Sequence, residues 1–277
     1  MRLGRLRSEG HWVLAGDEGD GWRRATGVDV DDVTDVLRLH EGLPSIELGD
    51  AIESSTYGPP IVRPGKIIAI GLNYMDHIRE TGATAPERPV VFAKFSSSII
   101  GPSDEVIIDP DLTSQGDYEA ELAVVIGRPA RRVSETDALQ HVFGYLVAND
   151  VSARDWQKRD GQLSRSKSMD TFCPLGPWIT TSDAIAEPNS LAIRSWVNGE
   201  PRQDSSTAEM IFSVRQLISF CSQTMTLEPG DVILTGTPHG VGFSRKPPTF
   251  LAEGDVIRCE VEGLGYIENV VVQPQPS

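Results

Sequence analysis

Beyond residue 58 the chain reads as short apolar runs separated by glycine, proline and acidic residues. The runs at 66–71, 90–94, 105–108, 118–126, 143–148, 178–180, 193–197, 231–235 and 256–261 are rich in branched residues and have the length of strands. Asn198-Gly199 is a strong signal for a two-residue hairpin turn. Helical spacing is confined to 74–81, 134–141, 152–159 and 208–221. Many closely spaced strands with few helices predict a β-rich α+β fold rather than a doubly wound sheet.

Residues 1–58 have a different texture, polar and acidic, with a short apolar piece at 12–14 and a helix expected near 31–40. Pro59, Pro60 and Pro64 crowd the stretch 57–65. That cluster of breakers predicts a boundary between a small N-terminal domain, 1–58, and a main domain, 59–277.

Charge narrows the partners. Among 277 residues, 40 are acidic and 25 basic, a formal net charge of −15. Nucleic acid and anionic membrane are therefore not expected, because binding phosphate needs a basic surface. A small anionic substrate stays compatible if a metal or a few Lys and Arg reverse the field locally. The three cysteines, Cys173, Cys221 and Cys259, are too scattered for a disulfide framework or a zinc site. The N-terminal stretch lacks the apolar core of a signal peptide, and no run approaches the roughly 20 residues of a membrane span. A cytoplasmic protein is expected.

The strongest chemical signal is the stretch 117–127, DYEAELAVVIG. Strand alternation puts Glu119 and Glu121 on one face, and the apolar residues behind them carry the strand inward. Two parallel carboxylates there need protons, basic partners or a cation. A strand starting at the surface, with both glutamates solvated, fits the same pattern. A second apolar run, 142–148, delivers Asn149-Asp150, with Ser152 and Asp155 spaced as a capping box for the next helix. Asp150 also fits an ordinary turn residue. Carboxylates gathered at strand ends without a Cys or His cluster favour Mg²⁺ or Mn²⁺ over Ca²⁺, and Zn²⁺ least.

Arg154 and Gln157 lie one helical turn apart and would suit a substrate carboxylate beside a metal; alone they are ordinary solvated residues. Lys167, in a polar stretch, reads by default as a surface lysine. His77 and Glu80 share one helical face, the arrangement of an oriented general base, though HxxE is a common accident. His11, His40 and His141 have no constellation. His239 sits in a Gly-rich turn without the phosphate-loop pattern, where Thr237 and nearby amides could hold a carboxylate.

Taken together, GLNYMDHIRE (71–80), FAKFSSSIIGP (92–102), DYEAELAVVIG, VANDVSARDWQKRDGQ (147–162), SKSMDTFCPLGPW (166–178) and DVILTGTPHGVG (231–242) resemble the fumarylacetoacetate hydrolase family, in the branch of bacterial hydroxyheptadienedioate isomerases. The resemblance runs from about 65 to 272. It implies a mixed β-sandwich roll, usually dimeric, with a divalent metal on Glu119, Glu121 and Asp150, namely Mg²⁺ or Mn²⁺, with Ca²⁺ as a crystallographic substitute. It assigns Arg154, Gln157 and Thr237 to substrate binding, and Lys167, His77 and Glu80 to catalysis, the last two on a lid helix. Leu72 stands where acylpyruvate hydrolases often carry Arg.

The activity so implied is cleavage of a C–C bond, by hydrolysis or decarboxylation, in a short 2-oxo or 1,3-dioxo dicarboxylic acid through a metal-stabilised enolate. One alternative is isomerase or tautomerase action on a 2-hydroxyhepta-2,4-diene-1,7-dioate-like acid of aromatic catabolism. An alternative of a different class is a catalytically silent metal-binding scaffold.

Overall fold

The computed structural model describes residues 1–27, 31–39, 46–54 and 56–274. The chain opens with strands β1 (Arg2–Ser8), β2 (His11–Asp17) and β3 (Arg23–Thr26), then helix α1 (Val33–Leu39), β4 (Glu47–Ala51) and β5 (Tyr57–Gly58). Next come β6 (Ile67–Gly71), helix α2 (Met75–Thr81), β7 (Val90–Lys94), β8 (Ile99–Ile100), β9 (Val106–Ile107) and β10 (Gly116–Asp117). The centre of the fold is β11 (Ala120–Ile126) and β12 (Val142–Asn149), followed by β13 (Ser152–Ala153), helix α3 (Arg154–Asp160) and β14 (Cys173–Thr181). The last third holds β15 (Ala192–Val197), β16 (Glu200–Ser206), helix α4 (Val214–Thr224), β17 (Val232–Leu234), β18 (Val256–Val261) and β19 (Gly265–Val272).

These strands form two main sheets. The larger runs β4-β3-β2-β1-β14-β12-β11-β17-β6-β7, and the smaller runs β16-β15-β18-β19-β9. Side-chain alternation in β11 explains why they stack. Leu122, Val124 and Ile126 face a core shared with Ile193, Ile257, Cys259 and Ile267 of the smaller sheet. Ala123 and Val125 face the opposite side, where Leu146, Leu175, Val33 and Leu37 pack. Strands β11 and β12 are buried on both faces, which is why their sequences are continuous apolar runs. Each Val or Leu so buried contributes roughly 1.5–3 kcal/mol. The result is the β-rich α+β fold that the strand pattern predicts, in the sandwich form that the resemblance implies.

The N-terminal strands extend the same sheet. Arg2 and Leu3 of β1 pair with Thr180 and Ile179 of β14, and Leu3 and Leu14 join the second core. The breaker-rich stretch 57–65 thus links two parts of the chain that share one sheet and one core. Asn198 and Gly199 both take left-handed conformations, φ 53° and 77°, and turn β15 into β16 as the hairpin signal predicts.

The helices depart from expectation in instructive ways. Within 134–141 there is only a 3₁₀ turn, Ala138–His141. Ser134 Oγ donates to Asp137 Oδ2 at 2.7 Å, a local bond that competes with helix formation. The segment expected at 208–221 becomes helical only from Val214, where Ser213 and Gln216 form a capping box. Ser152 does not cap α3: it pairs with Asp117 in a short two-stranded ladder, and its hydroxyl donates to the Asp150 carbonyl at 2.9 Å. The helix expected at 31–40 is α1, and His40 lies outside the described residues. Among the described residues no helix is long and apolar enough to cross a membrane.

Candidate active site

Strands β11 and β12 run antiparallel with Ala120 opposite Asn149 and Glu121 opposite Ala148. The entry of one strand therefore meets the exit of the other. The Asp150 amide donates to the Glu119 carbonyl at 2.9 Å, and the Glu119 amide donates to Asn149 Oδ1 at 2.9 Å. These bonds fix the backbone from which three carboxylates project. Glu119, Glu121 and Asp150 are 6%, 1% and 0% exposed, and oxygens from all three lie within 4.8 Å of one another. Neither a solvated strand start nor a free turn aspartate describes them.

Buried cations answer most of this charge. Lys167, read from sequence as a surface residue by default, is 3% exposed, with Nζ 2.7 Å from Glu119 Oε2 and 2.7 Å from Asp150 Oδ2. Arg154 is not solvated either: Nε donates to Asp117 Oδ2 at 2.8 Å, and Nη2 lies 2.7 Å from Glu119 Oε1, an ionic contact off the line of an N–H. Arg154 Nη1 donates to Gln157 Oε1 at 3.3 Å. Lys94 Nζ donates to Asp150 Oδ1 at 2.6 Å. Asp117, Glu119, Glu121 and Asp150 thus face Lys94, Arg154 and Lys167, four negative charges against three positive.

Glu121 is the odd member. Among the described residues no Lys or Arg forms an ion pair with it; its Oε2 accepts the Gly236 amide at 2.7 Å. Burial, followed by the charges of Asp150 and Glu119, pushes its carboxyl well above the ordinary range. Burial alone would also raise Glu119, but Lys167 and Arg154 overcome it and hold that carboxyl well below the usual range. A closed cluster of carboxylate oxygens, one positive charge short, fits a hard divalent cation. Such an ion would meet the need that a proton on Glu121 otherwise meets.

Helix α2 closes over this cluster. His77 Nδ1 is 3.3 Å from Glu80 Oε2, and the His77 ring meets Phe243 edge-on, centroids 6.1 Å apart. Asp76 Oδ2 accepts from Ser205 Oγ at 2.5 Å and contacts His239 Nδ1 at 2.9 Å. Glu80 Oε1 accepts the Gly240 amide at 3.0 Å. Left-handed residues flank the helix, Leu72 at φ 54° and Gly82 at φ 68°. For a bulky residue such as Leu72 that conformation is uncommon.

The loop after β17 supplies backbone donors, and the protein's own carboxylates take them. Gly236 holds Glu121, Gly240 holds Glu80, and Gly242 and Phe243 hold Asp117 at 2.7 and 3.1 Å. Gly240 sits at φ 99°, where an added Cβ would collide with the Arg202 carbonyl. Thr237 Oγ1 donates to the Ala120 carbonyl at 2.9 Å and accepts from Gln203 Nε2 at 2.8 Å.

A cavity of about 250 Å³ opens onto all of this. Glu119, Arg154, Gln157, Lys167, Thr237 and His77 line its polar side, and Leu72, Val90, Phe92 and Leu163 its apolar side. Every residue singled out from sequence for catalysis, substrate or metal falls in this cavity or bonds to a residue that does, save Glu121, which stands behind it with an oxygen within 4.8 Å of Glu119. Sequence reasoning missed Asp117, which accepts four hydrogen bonds beside the cluster, and Asp76, which ties α2 to Ser205 and His239. It also missed Lys94. Asp117 begins the same acidic motif as Glu119 and Glu121, a signal that alternation alone could have extended.

The profile described as fumarylacetoacetate (FAA) hydrolase C-terminal matches residues 66–272. The chain belongs to that family. It is 51% identical over 219 residues to the mitochondrial oxaloacetate tautomerase FAHD2A of Homo sapiens, covering 78% of this chain and 69% of the relative. Among solved structures of the family, the fumarylacetoacetate hydrolase of psychrophilic Exiguobacterium antarcticum superposes with a TM-score of 0.90 at 39% identity, over 99% of this chain and 100% of the other. The 2-hydroxyhepta-2,4-diene-1,7-dioate isomerase of Mycobacterium marinum gives 0.82 at 34% identity over 100% of both chains.

Proposed function

We propose that this family member is a divalent-cation-dependent enzyme that moves a proton between carbon and oxygen of a short 2-oxo dicarboxylic acid, a keto–enol conversion of the oxaloacetate type. The observation that carries this reading is the convergence of the Glu119–Glu121–Asp150 cluster, Lys167 and the His77–Glu80 pair on one cavity. The relatives named above as a tautomerase and an isomerase support it, since both activities shift protons within an unchanged carbon skeleton.

When bound to the three carboxylates, Mg²⁺ or Mn²⁺ supplies Lewis acidity to a 2-oxo acid and makes its C3–H bonds more acidic. The Lys167 ammonium lies beside the cluster and stabilises negative charge growing on the 2-oxo oxygen. Arg154 and Gln157 bind and orient a carboxylate of the substrate. His77 turns Nδ1 towards Glu80, which leaves Nε2 to take the C3 proton; the 2-oxo oxygen takes up a proton as the enol forms, and the reverse transfers restore the keto acid. In D₂O the imidazole exchanges its proton with solvent, so the hydrogen delivered to C3 becomes deuterium.

The same His77–Glu80 pair suits activation of a water molecule, and this favours hydrolytic C–C cleavage as the second reading; decarboxylation would use the same enolate without water. A silent scaffold has the least support, because ion pairs, base and cavity are all present. The test is oxaloacetate in D₂O with Mg²⁺, followed by NMR. Enol–keto conversion and deuterium entry at C3 should far outpace release of pyruvate. Equal rates of exchange and pyruvate release would move the assignment to a decarboxylase, and no acceleration of either process would overturn it.

A further inference from the structure

Lys94 ends β7 with its ammonium fully enclosed. An ammonium has three N–H donors, and here each has an acceptor: Asp150 Oδ1 at 2.6 Å, the Phe172 carbonyl at 2.9 Å and the Lys167 carbonyl. Lys94 is absent from the lining of the cavity formed by Glu119, Lys167 and His77, so it does not touch substrate there. It stands behind the site and binds two functional residues at once. One is the carboxylate of Asp150, whose other oxygen faces Lys167. The other is the backbone of Lys167, caught at one end of a loop whose far end, Phe172, is caught as well.

We propose that Lys94 is a positioning residue: it fixes Asp150 for the cation and fixes the loop that delivers the Lys167 ammonium. The proposal rests on the reading that Glu119, Glu121 and Asp150 hold a divalent cation. With Lys94 holding Oδ1, the Asp150 carboxylate has one rotational setting. With Lys94 holding the 167 and 172 carbonyls, the loop cannot shift along β7. A single side chain thereby couples the spacing between the cation's ligand and the residue that stabilises the growing oxyanion.

Charge and position predict opposite signs for its removal. Lys94 is a positive charge beside a cation site, so deleting it on electrostatic grounds alone would tighten Mg²⁺ binding. If Lys94 positions Asp150, deletion weakens binding despite the relieved repulsion, on the scale of about 10–100-fold found when partners behind metal ligands are removed. The sign of the change therefore separates the two roles.

The experiment is calorimetric titration of Mg²⁺ into the full chain as wild type, Lys94→Met, Lys94→Gln and Lys66→Met. Lys66 makes another lysine–aspartate pair, to Asp231 at 2.7 Å, and controls for general loss of a Lys–Asp contact. Lys94→Met should bind Mg²⁺ at least tenfold more weakly, and kcat at saturating Mg²⁺ should also fall because Lys167 is no longer held. Lys94→Gln, which keeps an N–H donor group, should shift in the same direction by less, and it carries the test if Lys94→Met does not fold. Lys66→Met should keep wild-type affinity. Affinity equal to or tighter than wild type in the folded Lys94 variants overturns the positioning role. A wild-type protein that binds no Mg²⁺ overturns the functional reading itself, a distinct failure.

Discussion

His77 and Glu80 meet at 3.3 Å one turn apart on α2, while the second carboxylate oxygen of Glu80 is held by the Gly240 amide. The pair is therefore oriented from outside the helix as well as within it. Glu80 is only partly shielded from water; that desolvation would raise its carboxyl, but bonds from His77, Ser244 and Gly240 lower it instead. It stays ionised beside the imidazole. His77→Ala should slow proton transfer by about 10²–10⁴-fold, the scale of a lost general base, with Mg²⁺ affinity unchanged. Glu80→Gln should cost less. Steady-state rates with oxaloacetate and an acylpyruvate, each at saturating Mg²⁺, check this; a wild-type rate for His77→Ala on both would remove the pair from the mechanism.

Glu119→Ala, Glu121→Ala and Asp150→Ala should each weaken Mg²⁺ binding and abolish turnover while leaving the sandwich folded. Each removes a charge and a ligand from one shared ion. Calorimetry with circular dichroism on the same samples measures both halves. Unchanged affinity in all three would mean that the ion binds elsewhere.

Binding of the cation should release protons. The Glu121 carboxyl is raised in the cation-free protein, whereas coordination requires the carboxylate. Below the raised pKa the proton competes with the ion, so affinity should fall as pH drops through that value and level off above it. Mg²⁺ titrations in buffers with different ionisation heats report the protons released. Observed heats independent of the buffer at every pH from the ordinary carboxylate range up to neutral would contradict the shift.

Asp117 should matter to stability more than to chemistry. It is wholly buried and accepts from Tyr118 N, Arg154 Nε, Gly242 N and Phe243 N. Asp117→Ala strands a buried guanidinium and two turn amides, and should cost about 3–5 kcal/mol, as for a broken buried ion pair. Urea unfolding of Asp117→Ala and the milder Asp117→Asn tests this; a loss under 1 kcal/mol for the alanine variant would show that water replaces the carboxylate freely.

How far the sequence could be read depended on how local each cause was. Glu119, Glu121 and Asp150 were legible because strand alternation and a strand end are local facts. Whether they were buried or solvated was not, since the groups that enclose them come from β7, α3, the Lys167 loop and the loop after β17, contributed by distant segments. Lys167 and Lys94 look like any lysine until β7 and the 167–172 loop are brought against Asp150. The strands of residues 1–58 escaped notice because β1 buries Leu3, Gly4 and Leu6, a pattern that breaks the two-residue period. The resemblance to a family supplied roles that periodicity alone left open.

The order of strands in the larger sheet has a consequence for the life of the polypeptide. β17 lies between β11 and β6, pairing Leu234 with Ala123 on one side and with Ala69 on the other. The acidic cluster, the lid and the loop that receives the lid are thus drawn from three widely separated stretches, joined only when β17 docks. Such non-local pairing is slow to form. During synthesis Glu121 must wait for more than a hundred further residues before Gly236 reaches it. A chain cut before β17 would retain every carboxylate of the cluster without the strand that closes it, so activity in a cell extract would report only molecules made past β17.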